Sequence, residues 1–462
     1  MRNETSIDAV RLSELKSSKG NLLRLPLYDS FCFSKIGTLN YNLLELSISK
    51  SSPDYNKLNE GSRQALKSNP LFSCLPEKKC SRLFDSPSGN SLTIFHSLID
   101  SFGWVFLEEL YDEINCIRIL EDEGVLSLLT SQFPSTTTAH VTTMNTGLPV
   151  YDHGLYEWFI FDPVVDDVIC PLLFSELDPL ERGSLLNKRG VSAKKAFRLQ
   201  QPTFYEKLSK IDVNSYLVQP AEYAPSVYDD ELTRGATSLR YNNLEGAFKS
   251  IREIIESGES GTCTPRTSYI YFYYGVIDSV AHEHGPLSRE HRDACVYFFK
   301  IFEKELLKTL LDSKNCISLM TADHGQKRVK PENTLYLDEE FPELLNFLKK
   351  NENGKLVAPV GSPVDLFLHL SEECKDRMPS GLREILLKIS EHSEMFSRDE
   401  LIELGVFGKN QSDLFLSRLG DILFLPDEDG SIWFRNGSKK GVHIGQHGGL
   451  TPEEMEVPLF CF

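Results

Sequence analysis

Five short segments of this 462-residue chain set Asp, His and hydroxyl side chains beside runs of apolar residues. In Leu98-Ile99-Asp100-Ser101-Phe102-Gly103-Trp104, Asp100 closes an apolar run, where an Asp commonly caps a following helix. Phe133-Pro134-Ser135-Thr136-Thr137-Thr138-Ala139-His140 puts hydroxyls at a helix start. That position suits N-capping, and it also suits an anion held by backbone N–H groups and the helix dipole. In Gly275-Val276-Ile277-Asp278-Ser279-Val280-Ala281-His282-Glu283-His284-Gly285-Pro286, Asp278 and His282 stand four apart. That spacing gives both one face of a helical turn, from which they can reach a single metal ion. Leu319-Met320-Thr321-Ala322-Asp323-His324-Gly325 is an apolar strand ending in adjacent Asp and His, with a glycine for the sharp exit. In Gly445-Gln446-His447-Gly448-Gly449-Leu450-Thr451-Pro452-Glu453-Glu454-Met455, His447 lies in glycine-rich backbone before a helix start.

Alone, each segment has a structural role as ordinary as the chemical one. Together they supply three Asp, three His and a hydroxyl, enough N and O donors for two divalent ions. All stand in loops after expected strands, and in open α/β sheets sites form outside the carboxyl ends of the strands.

The elements that must position them follow from periodicity. Apolar runs at 92–99, 215–218, 269–277, 316–321 and 366–370 predict strands, and 3.6-residue periodicity predicts helices near 137–146, 242–257, 287–312 and 382–392. Strands alternating with helices predict an α/β fold, a mostly parallel sheet with helices on both faces. Residues 1–20 are polar and read as loose, and residues 1–88 read as an N-terminal extension packed on the core. The core is expected at 89–329 and 441–462. Residues 330–440 are more acidic and irregular, and read as an inserted cap region that covers the site.

The chain carries 49 Lys+Arg against 67 Asp+Glu, a formal charge of −18. Long-range attraction to nucleic-acid backbone or anionic lipid is therefore disfavoured, while bound divalent cations can invert the field locally for a small phosphate ester. No run of about 18 apolar residues occurs, so no membrane span is expected. The ten cysteines form no C-x-x-C pair and the N-terminus lacks a signal-like apolar stretch, which predicts a cytoplasmic protein with reduced thiols.

In motif order from about Asp100 onward, the chain resembles the nucleotide pyrophosphatase/phosphodiesterase group of the alkaline phosphatase superfamily. The resemblance rests on F-P-S-T-T, T-G-L-P and H-G, on D-S-V-A-H-E-H-G-P and T-A-D-H-G, and on H-G-G-L-T-P-E-E-M with V-P-L. Gln219-Pro220-Ala221-Glu222-Tyr223 also resembles the family but receives no role. The resemblance implies an alkaline-phosphatase-like fold and two divalent ions, zinc by analogy. One would be held by Asp278, His282 and His447, the other by Asp100, Asp323 and His324 with the Thr137 oxygen. Thr137 falls on the family nucleophile because it lies nine residues before Thr146 of the T-G pair; register alone separates it from Thr136 and Thr138. The implied chemistry is in-line attack on a phosphate ester through a phospho-threonine intermediate.

One departure bears on substrate. Nucleotide-cleaving members usually carry an Asn soon after H-G, whereas His153-Gly154 is followed here by Leu155-Tyr156-Glu157-Trp158. Tyr156 and Trp158 are candidates to stack on a base, although aromatic clusters are more often core. His284, Lys327, Arg328 and His443 lie close in sequence to the ligands without an assigned role. Competing readings are phosphonate hydrolysis on the same metal site, sulfate-ester hydrolysis, and a non-catalytic metal-binding protein. Sulfatases need a C-x-P-x-R type segment at the nucleophile, and Cys263-Thr264-Pro265-Arg266 misses it in spacing and position.

Overall fold

The computed structural model describes residues 1–49, 55–85, 91–177, 180–259, 267–435 and 441–462. The Cys263–Arg266 segment lies outside them. A seven-stranded sheet organises the core: β1 (Thr93–Ile99), β2 (Val125–Thr130), β3 (Asn214–Pro220), β4 (Thr237–Tyr241), β5 (Ser268–Tyr274), β6 (Cys316–Thr321) and β7 (Glu456–Cys461), in the order β2-β7-β6-β1-β5-β3-β4. Neighbours from β6 to β4 pair in parallel, while β7 runs antiparallel to both β6 and β2. Every residue of β1 is buried, as expected of a central parallel strand covered on both faces.

This directionality decides where chemistry can happen. The carboxyl ends of β1, β2, β5 and β6 all open on one edge. Because β7 runs the other way, the loop that enters it arrives at that same edge.

Among the helices are α1 (Thr137–Thr146), α2 (Leu244–Glu259), α3 (Val276–His284) and α4 (Arg289–Phe302). The helix expected over 287–312 is α4 extended by a π-helical stretch, Glu303–Leu307, and a last turn, Lys308–Asp312. The strand expected over 269–277 stops at Tyr274: Gly275 N-caps α3, which puts Asp278 and His282 on a helix. Strands β2, β4 and β7 carry no alternation to mark them. Val125–Thr130 is a six-residue buried run, which periodicity cannot tell from a short helix.

The N-terminus is not loose. Asn3 caps a helix, Glu4–Leu12, that buries Ile7 and Val10. The backbone on either side pairs with the outer edge of β2: Asn3 N donates to Leu126 O (2.8 Å), Leu126 N to Met1 O (2.9 Å) and Thr130 N to Phe31 O (2.9 Å). An uncovered edge strand would leave those groups unpaired, so polar composition loses to the demand of the sheet.

The expected strand at 366–370 is Asp365–Leu368, in a separate four-stranded antiparallel sheet with Val360–Ser362, Ser393–Ser397 and Ile422–Pro426. Its alternation serves two cores. Leu366, Leu368, Ile422 and Phe424 pack with Leu382, Leu386 and Ile389, while Phe367 and Leu423 join Phe133 and Tyr156. Arg418 ties this part of the chain to the core: Arg418 and Asp162 are both fully buried, Nη2 and Nε contact Asp162 Oδ2 at 2.8 and 3.1 Å, and Nη1 donates to Gly154 O (3.0 Å). Gly154 sits at φ +67° with Phe415 backbone and Arg418 3.2 Å from where a Cβ would stand, so this turn requires glycine.

Candidate active site

Asp100 directly follows β1 and is buried, its N–H bonded to Tyr274 O of β5 at 2.9 Å. Asp323 and His324 follow β6, Asp278 and His282 share one face of α3, His447 lies in the loop entering β7, and Thr137 is the first residue of α1. The fold brings all seven together, six of them as two triads with Thr137 beside the second. In each, one ligand atom per residue lies within 4.8 Å of the others: Asp278, His282 and His447 in one, Asp100, Asp323 and His324 in the other.

In the first triad His282 Nδ1 donates to Gly445 O (2.7 Å) and His447 Nδ1 to Ser135 O (3.0 Å). Each imidazole therefore presents a bare Nε2 lone pair, and those two atoms face one another at 3.2 Å. They also face Asp278 Oδ1, at 3.4 and 3.6 Å. Acceptors pointed at acceptors are satisfied by a cation between them and by no hydrogen bond among themselves. In the second triad His324 Nδ1 donates to Gly325 O (3.0 Å), and its Nε2 lies 3.5 Å from both Asp100 Oδ1 and Asp323 Oδ2. Asp323 Oδ1 takes the backbone N–H of Ser101 (3.0 Å), but its Oδ2 is buried without a partner. That orphaned oxygen and the chemistry of both donor sets fit divalent metal ions.

The electrostatics agree. Burial, then the charges of Asp323 and Asp278, push Asp100 well above the usual carboxylate range; burial raises Asp323 too. Burial lowers His324 to about 3 and holds His447 well below an ordinary imidazole, so both rings are neutral donors. The buried Asp100 and Asp323, with the half-buried Asp278 adding its charge, call for a counter-charge, which is what a cation supplies.

Tertiary contacts separate the three threonines. Thr136 Oγ1 donates to Tyr156 O (2.9 Å), and Thr138 Oγ1 is buried without a partner. Thr137 Oγ1 alone reaches the ligands, 3.1 Å from His324 Nε2 and 3.4 Å from Asp100 Oδ2. It stands where the first N–H groups of α1 have no partner within the helix and the dipole favours negative charge.

Beside Thr137 opens a cavity of about 250 Å³. Thr137, Val141 and Asn145, spaced by four along α1, form one wall; Leu217 and Gln219 of β3 with Tyr271 and Tyr273 of β5 form another. Trp158, Leu172, Leu173, Arg182, Tyr223 and Tyr228 close it. Among the described residues, none of 330–440 lines it, although the sequence reads the insertion as a cover for the site. The insertion instead braces the site from behind, where Ser362 Oγ donates to His447 O (2.9 Å). Beyond the residues of α1 and β5, the lining comes from 158–229, where the sequence marked Trp158 as a stacking candidate and left Gln219 and Tyr223 in a segment without a role. Trp158 is 38% exposed and lines the cavity, whereas Tyr156 is fully buried, its O–H donating to Arg418 O (3.0 Å). Lys327 and Arg328 line a different cavity, of about 660 Å³, and His284 and His443 are exposed.

Residues 98–450 match type I phosphodiesterase/nucleotide pyrophosphatase sequences. The chain belongs to the type I phosphodiesterase/nucleotide pyrophosphatase family. It is thus a hydrolase of phosphate ester bonds. No curated protein sequence matches it. Among solved structures, the chain is similar to murine ectonucleotide pyrophosphatase/phosphodiesterase 5, at 18% identity and TM-score 0.56 over 80% of this chain and 87% of the other. The human protein of that name gives 16% identity and TM-score 0.56, over 80% and 87%. Phosphonoacetate hydrolase from Sinorhizobium meliloti, in complex with phosphonoacetate, gives 16% and 0.54, over 80% and 89%. These likenesses establish the alkaline-phosphatase-like fold of this family member. No helix among its described residues is long and apolar enough to cross a membrane.

Proposed function

We propose that the protein is a two-metal phosphodiesterase in which Thr137 attacks phosphorus in line. The carrying observation is that Thr137 Oγ1 meets His324 and Asp100 at the N-terminus of α1. Asp278, His282 and His447 would hold one divalent ion, zinc being favoured by the N/O donor set, and Asp100, Asp323 and His324 with Thr137 Oγ1 the other. Such ions supply Lewis acidity, which lowers the pKa of a bound hydroxyl and neutralises charge on phosphoryl oxygens.

The chain's own residues do the rest. Thr137 Oγ forms a bond to phosphorus as the ester oxygen of the leaving alcohol departs, and its proton leaves as that oxygen gains one. Water then attacks phosphorus, the Oγ–P bond breaks, and Thr137 recovers a proton. N–H groups at the start of α1 hold the non-bridging oxygens through both displacements. The cavity along Val141 and Asn145 receives the ester group that stays on phosphorus, which favours a diester over a monoester. An inactive form of the murine relative is in complex with AMP, so a nucleoside is one candidate for that group.

Metal content of the purified protein, with turnover of a bis-aryl phosphodiester, an aryl phosphonate ester, an aryl monoester and an aryl sulfate, tests this reading. Diester turnover that needs the metal and collapses in Thr137→Ala is expected. Full activity of Thr137→Ala or of metal-free protein would sink the mechanism, and preference for the phosphonate or sulfate would replace the substrate class.

A further inference from the structure

Three of the six metal-triad side chains in the sheet-edge site are oriented by backbone carbonyls: His282 by Gly445, His447 by Ser135 and His324 by Gly325. Asp278 is held differently. Gln326 donates from Nε2 to Asp278 Oδ1 and to the Asp278 carbonyl (3.2 Å). The reverse amide orientation would set carbonyl oxygen against carboxylate, so chemistry assigns the donor. Gln326 is 1% exposed, and its Oε1 is buried without a partner. The backbone around it is built for close approach: a Cβ on Gly445 would stand 2.3 Å from Gln326 Oε1 and 2.2 Å from the Ala281 carbonyl. Gly445 can therefore carry no side chain while its carbonyl orients His282 and its neighbour Gln326 holds Asp278. Lys327–Arg328 pairs with Gly445–Gln446 directly after Gln326, fixing its backbone against the same loop.

Resting on the two-ion reading, we infer that Gln326 is the positioning residue that sets the affinity of the Asp278–His282–His447 site. It donates to the same Asp278 Oδ1 that faces the two imidazoles, and so holds that oxygen in place toward them. Gln326 stands two residues after His324, a donor of the other triad, yet it touches only Asp278 among the triad carboxylates. Its loss therefore weakens one site and spares the other. A supporting hydrogen bond of this kind is worth about 10–100-fold in metal affinity.

The test is zinc binding, read by elemental analysis and by competition with a chromophoric chelator, on the full chain with no substrate present. Wild type is expected to bind two ions. Gln326→Met matches the side chain in length and lacks the donor; it is expected to hold one ion as wild type does and the other about 10–100-fold more weakly. Gln326→Leu repeats the measurement should Met pack poorly, and the melting curve of the metal-free protein reports folding. In a His324→Ala background, the remaining ion should weaken by the same factor when Gln326→Met is added. In a His282→Ala background it should not change. Two ions at wild-type affinity in folded Gln326→Met, or equal weakening in both backgrounds, would overturn the inference. Wild-type protein that binds no zinc overturns the two-ion reading itself, and the inference with it.

Discussion

The imidazole of His324, which follows β6, lies face to face with that of His447, which precedes β7, with centroids 3.7 Å apart and planes 12° from parallel. The contact joins the two triads. It exists because β6 and β7 are antiparallel neighbours, Thr321 opposite Leu459, so the exit of one strand and the entry of the other share an edge. Burial holds both rings neutral, which lets them stack without repulsion while each offers a lone pair outward.

Metal removal should destabilise the fold. Without ions, Asp100 and Asp323 are crowded together with Asp323 Oδ2 unpartnered, and the charge of Asp278 adds to theirs. Zinc at about 100 times its dissociation constant should add about 2.7 kcal/mol per site. Thermal melting with zinc and with a chelator measures this, and coincident curves would separate the site from stability.

Filling the cavity should separate binding from metal loading. Val141 lies one helical turn from Thr137 on the cavity wall, so Val141→Trp puts an indole where the retained ester group would lie. The KM for a bis-aryl diester is expected to rise roughly 10–100-fold with zinc content unchanged. An unaltered KM would place the retained group elsewhere.

The Glu157–Asp365 pair should give stability a pH slope. Glu157 Oε1 and Asp365 Oδ2 are buried and receive no donor from the rest of the protein. Burial and then the charge of Asp365 raise Glu157 well above the carboxylate range; burial raises Asp365, with Glu454 adding to it, against the hydrogen bonds of Ser362. A proton held between them satisfies both. A folded carboxyl that binds its proton more tightly than the unfolded chain stabilises fully below about pH 4, and that contribution is lost as the pH climbs through its raised folded value. Glu157→Gln, with a covalently attached donor, should flatten the slope and gain on the order of 1–3 kcal/mol at pH 8 relative to pH 5. Denaturant titrations at the two pH values decide it; parallel slopes in wild type and variant would refute the shared proton.

Breaking the Arg418–Asp162 pair should be costly. Both side chains are fully buried, so Arg418→Met strands a carboxylate whose other cation, Arg198, lies 3.3 Å away and is partly exposed. A loss of roughly 3–5 kcal/mol is expected, much of it recovered in Arg418→Met/Asp162→Leu. Chemical denaturation of the single and double variants measures both values, and a single variant as stable as wild type would show that the pair contributes nothing.

What could be read from residues alone was local. The four-residue spacing of Asp278 and His282, the apolar run ending in Asp323-His324 and the helix start at Thr137 are short-range patterns, and the architecture follows them closely. The register among Thr136, Thr137 and Thr138 needed the resemblance, because three successive hydroxyls at a helix start are equivalent until something packs against them. Tyr156, His324 and Asp100 make the difference, and they come from three other places in the chain.

The ligand-type side chains at strand ends were legible in the residues, because they are a property of composition and spacing. Packing between distant segments is what lines the cavity with α1, β5 and parts of 158–229, lays residues near the N-terminus along the edge of β2, and brings Gln326 to Asp278. Each depends on pairing between segments far apart in the chain. Such pairings follow from strand direction and from the need to satisfy every buried backbone group.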